Sequence, residues 1–244
     1  MQYKHLGRTG LIVSVICLGT GEYGNQVSEK EAARIMAGAL ANGVNFFDTS
    51  DSYAEGRSEE IIGRALKGQR HSVVLATKIS LRTGPGPNDV GLSRKHIMKG
   101  IEDSLRRLQT DYIDLYYVHS PDPDTPIQET LRALDDLVHQ GKVLYIGCDD
   151  FRAWQLCKAL WVSDHDKLTR FDAIELPYNL LTRDIETELL PLLAQGLTLR
   201  EAAARMAIGY KTADSYRTSL LRKLGVRDRV ELARYAIRER IIEP

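Results

Sequence analysis

The chain has no run approaching the ~20 consecutive apolar residues that a membrane span requires. Its first residues, Met1-Gln-Tyr-Lys-His-Leu-Gly7, contain no apolar core of a secretion signal, so secretion is not expected. Cysteine is scarce: Cys17, Cys148 and Cys157 are an odd number without metal-ligand spacing, which is read as reduced thiols in a cytoplasmic protein with no metal site. No Gly/Ser-rich linker separates one part from another. Net charge is absent as well, 33 Lys and Arg facing 33 Asp and Glu. The balance is uneven along the chain, however. From Thr187 onward eleven basic residues meet seven acidic ones, and this basic end points to nucleic acid.

What the sequence does contain is a rhythm. Short apolar strands are expected at Val15–Thr20, Val44–Ser50, Val73–Ile79, Ile113–His119, Val143–Asp149 and Ala173–Tyr178. Amphipathic helices are expected between them, near Glu29–Asn42, Ser58–Leu66, Ser93–Leu108, Pro126–Gln140 and Arg152–Trp161. Ser28 with Glu31 has the spacing of a capping box, Pro126 suits a first helical turn, and Gly43 and Gly141 sit where helices stop. Repeated βα units imply a parallel sheet with right-handed crossovers, open or closed into a barrel. After Tyr178 the rhythm changes to four short helices near 182–195, 198–206, 211–224 and 228–240. Thr198 with Glu201 and Asp228 with Glu231 have capping-box spacing.

Four polar residues fall at successive strand ends: Asp48, with Tyr53 in the loop behind it, then Lys78 and His119. In a βα barrel these ends share one mouth, where chemistry is found. A lone strand-end Asp usually caps a helix, and a lone His is usually a satisfied polar group. Together the four make a coherent set. Tyrosine, with an ordinary pKa of ~10, is a poor acid until an ammonium stabilises its phenolate. A carboxylate would hold that ammonium, and a histidine would orient a carbonyl while a cofactor supplies hydride.

The segments Gly43-Val-Asn-Phe-Phe-Asp-Thr-Ser-Asp-Ser-Tyr53, Ser58-Glu-Glu-Ile-Ile-Gly63, Asp111-Tyr-Ile-Asp-Leu-Tyr-Tyr-Val-His119 and Gly141-Lys-Val-Leu-Tyr-Ile-Gly147 resemble the aldo/keto reductase family. The resemblance covers about residues 1–190. It implies a partial (βα)8 barrel, with residues 1–16 forming the β-hairpin that plugs its bottom. It implies a catalytic set of Asp48, Tyr53, Lys78 and His119 acting with NADPH on a small carbonyl substrate. Tyr53 would be the proton donor, Lys78 its activator, Asp48 the partner of Lys78 and His119 the orienting group. Cofactor contacts are expected from Gly19, Thr20, Asp48, Asp149, Asp150 and Glu175.

Three departures stand against that pattern. Asp149-Asp150-Phe151 replaces the family's Ser-Asn-Phe, and Glu175 replaces a glutamine. Ionised carboxylates only accept hydrogen bonds and repel one another and phosphates. The third departure is length: six βα units are expected where the family has eight. The missing two carry the family's nicotinamide-stacking aromatic and phosphate loops. Weak or absent NADPH binding is therefore expected, unless the helical tail covers the gap or a second subunit completes the sheet. A homo-oligomer is expected on the second ground.

Residues 189–237 carry a different resemblance. Ala194-Gln-Gly-Leu-Thr-Leu-Arg-Glu-Ala-Ala203, Lys211-Thr-Ala-Asp-Ser-Tyr-Arg217 and Arg222-Lys-Leu-Gly-Val-Arg-Asp-Arg-Val-Glu-Leu232 are similar to the LuxR-type helix-turn-helix. Apolar residues at helical spacing would form a trihelical core. Asp214, Ser215 and Thr218 would face a major groove of double-stranded DNA, with Thr212 beside them. Lys211, Arg217, Arg222, Lys223 and Arg227 would meet phosphates. The basic residues read alone as a solvated face, and Asp214 stands where the family often has lysine. Domains are expected at residues 1–186 and 187–244, with residues 180–193 fitting both patterns. Three functions remain open: a carbonyl reductase impaired by its missing units, a DNA-binding regulator with a ligand- or redox-sensing barrel remnant, and a chimera with neither activity.

Overall fold

A computed structural model describes residues 1–189, all within the first of the chain's two units, Met1–Pro191. The helices expected over 198–206, 211–224 and 228–240, their capping pairs, and the DNA contacts from Lys211 to Arg227 lie outside the described residues.

The chain opens on an antiparallel hairpin, β1 (Tyr3–His5) with β2 (Ile12–Ser14). Six parallel strands follow in sequence order: β3 (Cys17–Gly19), β4 (Phe46–Asp48), β5 (Val74–Ile79), β6 (Ile113–Val118), β7 (Val143–Asp149) and β8 (Ala173–Glu175). Helices α1 (Glu29–Ala41), α2 (Arg57–Ala65), α3 (Arg94–Leu108), α4 (Ile127–His139) and α5 (Ala153–Asp166) connect them. Neighbouring helices pack in the same order as the strands, giving a curled, partial βα barrel. Among the described residues β3 and β8 are the sheet's edges, and no helix is long and apolar enough to cross a membrane.

Alternation along the strands decides which residues face the site. In β5, Ala76 joins Leu115 and Tyr117 in an inner cluster, with Leu6, Phe46, Tyr145 and Ala173 against it. Leu6, in the turn of the hairpin, thereby packs against the inner face of the sheet. Lys78, two residues beyond Ala76, shares this inner face, whereas Thr77 points outward and donates to Glu59 of α2.

Several local expectations change, among them the strand expected over Val44–Ser50, which is Phe46–Asp48, and the last helix, which runs to Asp166 and not Trp161. The first strand shrinks to Cys17–Gly19 because Val15 N–H bonds back to the Gln2 carbonyl and so belongs with the hairpin. The last strand stops at Glu175, two residues before Pro177, which has no N–H to give a ladder. Ser28 does cap α1, accepting from Glu31 N–H, but the Glu31 carboxylate pairs with Arg34 instead of returning to the cap. No α-helix begins at Thr182. Asn179 accepts from the Leu181 and Thr182 N–H groups, a 3-10 turn, Asp184–Glu186, follows, and helical backbone is reached at Leu189, the rest of the expected segment lying outside the described residues. Side-chain bonds to backbone offer an alternative to the helix ladder there.

Candidate active site

Four residues predicted from separate segments meet at the strand C-termini. Lys78 is one residue short of the end of β5, and its side chain is wholly buried. Its ammonium pairs with Asp48 Oδ2 at the end of β4 and lies 3.4 Å from Tyr53 Oη. The Tyr53 and His119 rings meet edge-on, with centroids 5.8 Å apart. Burial works against the Lys78 charge, but Asp48 and Glu175 outweigh it and hold the ammonium above its ordinary pKa. Burial also pushes Asp48 up to about 6, against the pull of Lys78. Tyr53 is raised by burial, which exceeds the lowering effect of Lys78. Tyr53 therefore rests as a protonated donor, with Lys78 acting to favour its phenolate. His119 is lowered to about 4 by burial and then by Lys78, so its imidazole is neutral near pH 7.

The loop that delivers Tyr53 is strained and braced. Ala54 (φ 49°) and Glu55 (φ 58°) both adopt left-handed backbone, at about 1–2 kcal/mol each for residues with a Cβ. Gly56 follows at φ +87°, and a Cβ there would come within 2.8 Å of Arg107 Cδ. Arg107 Nε donates to Glu59 Oε2 at 2.6 Å, and Glu59 Oε1 accepts from Thr77 at 2.6 Å. Glu59 is wholly buried. One ion pair between α2 and α3 therefore braces the Tyr53 loop and the strand that carries Lys78.

The expected cofactor residues separate into two groups. Gly19 at the end of β3 pairs with Asp48 and lines a pocket with Cys17, Phe46, Tyr117, Ile174 and Glu175, about 590 Å³ in volume. Thr20 lies behind it, buried, its hydroxyl bonded to the Asp48 carbonyl and Ser58. Asp149 and Glu175 are register partners on β7 and β8. Glu175 Oε2 stands 3.4 Å from Lys78 Nζ, a second counter-ion the sequence did not announce. Asp149 is pushed up to about 7 by burial, then by Glu175 and Asp150. Asp150 is left-handed (φ 56°), and its N–H reaches the Glu175 carbonyl at 3.3 Å.

The described unit is thus a parallel βα barrel segment with a lysine–carboxylate pair, a tyrosine and a histidine at its strand ends. A model described as "Aldo/keto reductase family" matches residues 15–207, and one described as "Bacterial regulatory proteins, luxR family" matches residues 181–236. Similar proteins include a "Probable voltage-gated potassium channel subunit beta" of Arabidopsis thaliana, 44% identical over 197 residues, covering 79% of this chain and 60% of that protein. Its namesake in Oryza sativa subsp. japonica is 43% identical over the same shares. An "Uncharacterized oxidoreductase YrpG" of Bacillus subtilis (strain 168) is 45% identical over 202 residues, covering 78% of this chain and 62% of that protein. The chain belongs to the aldo/keto reductase family, and its C-terminal part matches the LuxR-type helix-turn-helix. It spans about 60% of the length of these relatives.

Proposed function

We propose that the chain is an NADPH-dependent carbonyl reductase whose residues 187–244 form a DNA-binding domain. The observation that carries the first half is the contact of Lys78 Nζ with Tyr53 Oη at 3.4 Å, made while Asp48 holds the same ammonium. Tyr53 donates its proton to the carbonyl oxygen. The phenolate that remains is stabilised by the adjacent ammonium, so the preference for proton loss grows as the transfer proceeds. His119, neutral, orients the carbonyl without adding charge.

NADPH, when bound, supplies the hydride. A nicotinamide carboxamide needs acceptors for its NH₂ and one donor for its oxygen. Asp149, Asp150 and Glu175 offer acceptors in abundance. Asp149 serves as the donor only while protonated, and its pKa of about 7 keeps that form populated up to neutrality. In this protonated state the residues fit the carboxamide end of the cofactor; the units that hold its phosphates in the family are the two that six βα units leave out.

The test is oxidation of NADPH by the full chain in the presence of a small aromatic aldehyde. Tyr53→Phe should lower the rate by about 10²–10⁴-fold and leave cofactor binding, read by Trp154 and Trp161 fluorescence, unchanged. Equal rates in both proteins would remove Tyr53 from the mechanism.

A second function, transcription regulation with the barrel as sensor, is favoured by the match of residues 181–236 to the LuxR-type family. Double-stranded DNA is the partner, with Lys211, Arg217, Arg222, Lys223 and Arg227 on phosphates and Thr212, Asp214, Ser215 and Thr218 toward the groove. Selection of a binding sequence from random duplexes, repeated with and without NADPH, tests it. Enrichment that NADPH does not alter would separate DNA binding from sensing.

A further inference from the structure

Behind His119 lies a chain of polar groups that the proposed mechanism does not use. Ser50 Oγ is 3.0 Å from His119 Nδ1 and 3.3 Å from Asp51 Oδ1. Ser50 and Asp51 are both buried. The serine also accepts from the Ser52 N–H and lies 2.9 Å from the Ser52 hydroxyl. It owns one proton, so the direction in which that proton points fixes what His119 Nδ1 must do.

We infer that Asp51 and Ser50 are positioning residues that set the tautomer of His119, and with it the face His119 Nε2 presents to a carbonyl. With Asp51 ionised, Ser50 donates to the carboxylate, Ser50 Oγ accepts from His119 Nδ1–H, and Nε2 is left as a lone pair. With Asp51 protonated, the acid donates to Ser50, Ser50 donates to Nδ1, and the ring proton resides on Nε2. The change takes up one proton from solvent: it enters at Nε2, the Nδ1 proton passes to Ser50 Oγ, and the serine proton passes to Asp51 Oδ1. Only the second arrangement offers a donor to a carbonyl oxygen. A ring that already needs no charge thereby becomes a hydrogen-bond donor.

The surroundings of Asp51 set where this change falls. Glu59 from α2, Arg107 from α3 and Tyr116 from β6 face it, and its N–H bonds the Lys78 carbonyl at 3.4 Å. Among the described residues Asp51 Oδ2 is buried without a hydrogen-bond partner. An ionised Asp51 thus has its charge answered by the Ser50 hydroxyl, the Ser52 N–H and the nearby Arg107, with Oδ2 left bare beside a second carboxylate that Arg107 already pairs. Burial, then Glu59, raises Asp51 to about 7, against Arg107. His119 itself stays neutral well below that value.

The donor role of His119 rests on the reductase function proposed above, but the tautomer is read without turnover. The experiment is long-range ¹H–¹⁵N correlation of the imidazoles in the ¹⁵N-labelled full chain, with the His119 signals assigned by their loss in His119→Gln. The Nδ1–H tautomer is expected near pH 9 and the Nε2–H tautomer near pH 5.5, with a midpoint near 7. Ser50→Ala should abolish this pH dependence, and Asp51→Asn should leave a single tautomer throughout. Should Asp51→Asn not fold, Ser50→Ala decides alone. One tautomer across the whole range in the parent chain, or an unaltered transition in Ser50→Ala, overturns the inference. A transition that follows these expectations in a protein that never oxidises NADPH would keep the relay and discard the reductase function.

Discussion

Lys78 is an ammonium with no solvent of its own, answered by Asp48 and by Glu175. Its second counter-ion stands where the family resemblance places an amide. Glu175→Gln removes a negative charge that raises both Asp48 and Asp149, and restores a donor for the carboxamide. NADPH affinity should rise about tenfold, one hydrogen bond's worth. In the parent chain affinity should fall as pH climbs through about 7 and Asp149 loses its proton, and in Glu175→Gln this fall should move to lower pH or vanish. Calorimetric titrations near pH 6 and pH 8 check both. Asp51 supplies a stability test. Its folded-state pKa exceeds the ordinary carboxylate value, so the folded protein keeps a proton that the unfolded chain releases above about pH 4. That contribution is present at low pH and lost as pH rises through about 7. Asp48 and Asp149 act in the same direction, while His119, depressed to about 4, opposes them below its ordinary 6.5. Urea unfolding should therefore show Asp51→Asn gaining on the parent chain between about pH 5.5 and pH 8; a difference independent of pH would contradict it. The meeting of Asp48, Tyr53, Lys78 and His119 was legible because each lies at, next to or just beyond the end of a strand. Glu175 against Lys78 was not, since it depends on how two distant strands tilt toward one another. The Ser50–His119 contact spans 69 positions and has no sequence signature beyond two polar residues in a loop.

Helices and strands were legible where periodicity was long. Helices α1 to α4 begin and end close to the expected positions, with Gly43 at φ +81° and Gly141 at φ +72° as stops, whereas α5 runs on to Asp166 past the expected Trp161. The three-residue strands β3, β4 and β8 were not legible to their ends; at the two edges a neighbouring hairpin and a proline decide them. The α2–α3 crossing was also invisible to the sequence, though it braces the Tyr53 loop. At Gly63 in α2 a Cβ would meet the Arg107 carbonyl oxygen at 2.5 Å and Leu108 C at 2.7 Å. Both are backbone, so the helices must separate. Gly63→Ala should lower stability by about 1–3 kcal/mol, with a matching drop in melting temperature. It should also lower turnover, because Arg107 moves with α3. A variant melting with the parent chain would show that the crossing has slack.

At the scale of the whole molecule, the two family matches share residues 181–207, which agrees with a join at a segment that fits both patterns. The basic surplus beyond Thr187 suits a polyanion. If NADPH changes DNA affinity by some factor, DNA must change NADPH affinity by the same factor, because the coupling is one free energy. Anisotropy of a labelled operator duplex, titrated with and without NADPH, should agree with the reverse titration, and DNA binding should weaken steeply with salt. Within the barrel, the alternation along β5 has its own consequence. Lys78 faces the site and Thr77 faces Glu59 only in one pairing of β5 with its neighbours. Sliding the strand by a single residue would exchange them, aiming a hydroxyl into the mouth and an ammonium at the Glu59–Arg107 pair. The candidate site and the correctness of the fold are therefore tested by the same residue: a mispaired sheet pays for a misplaced charge, so the lysine proofreads the barrel that it serves.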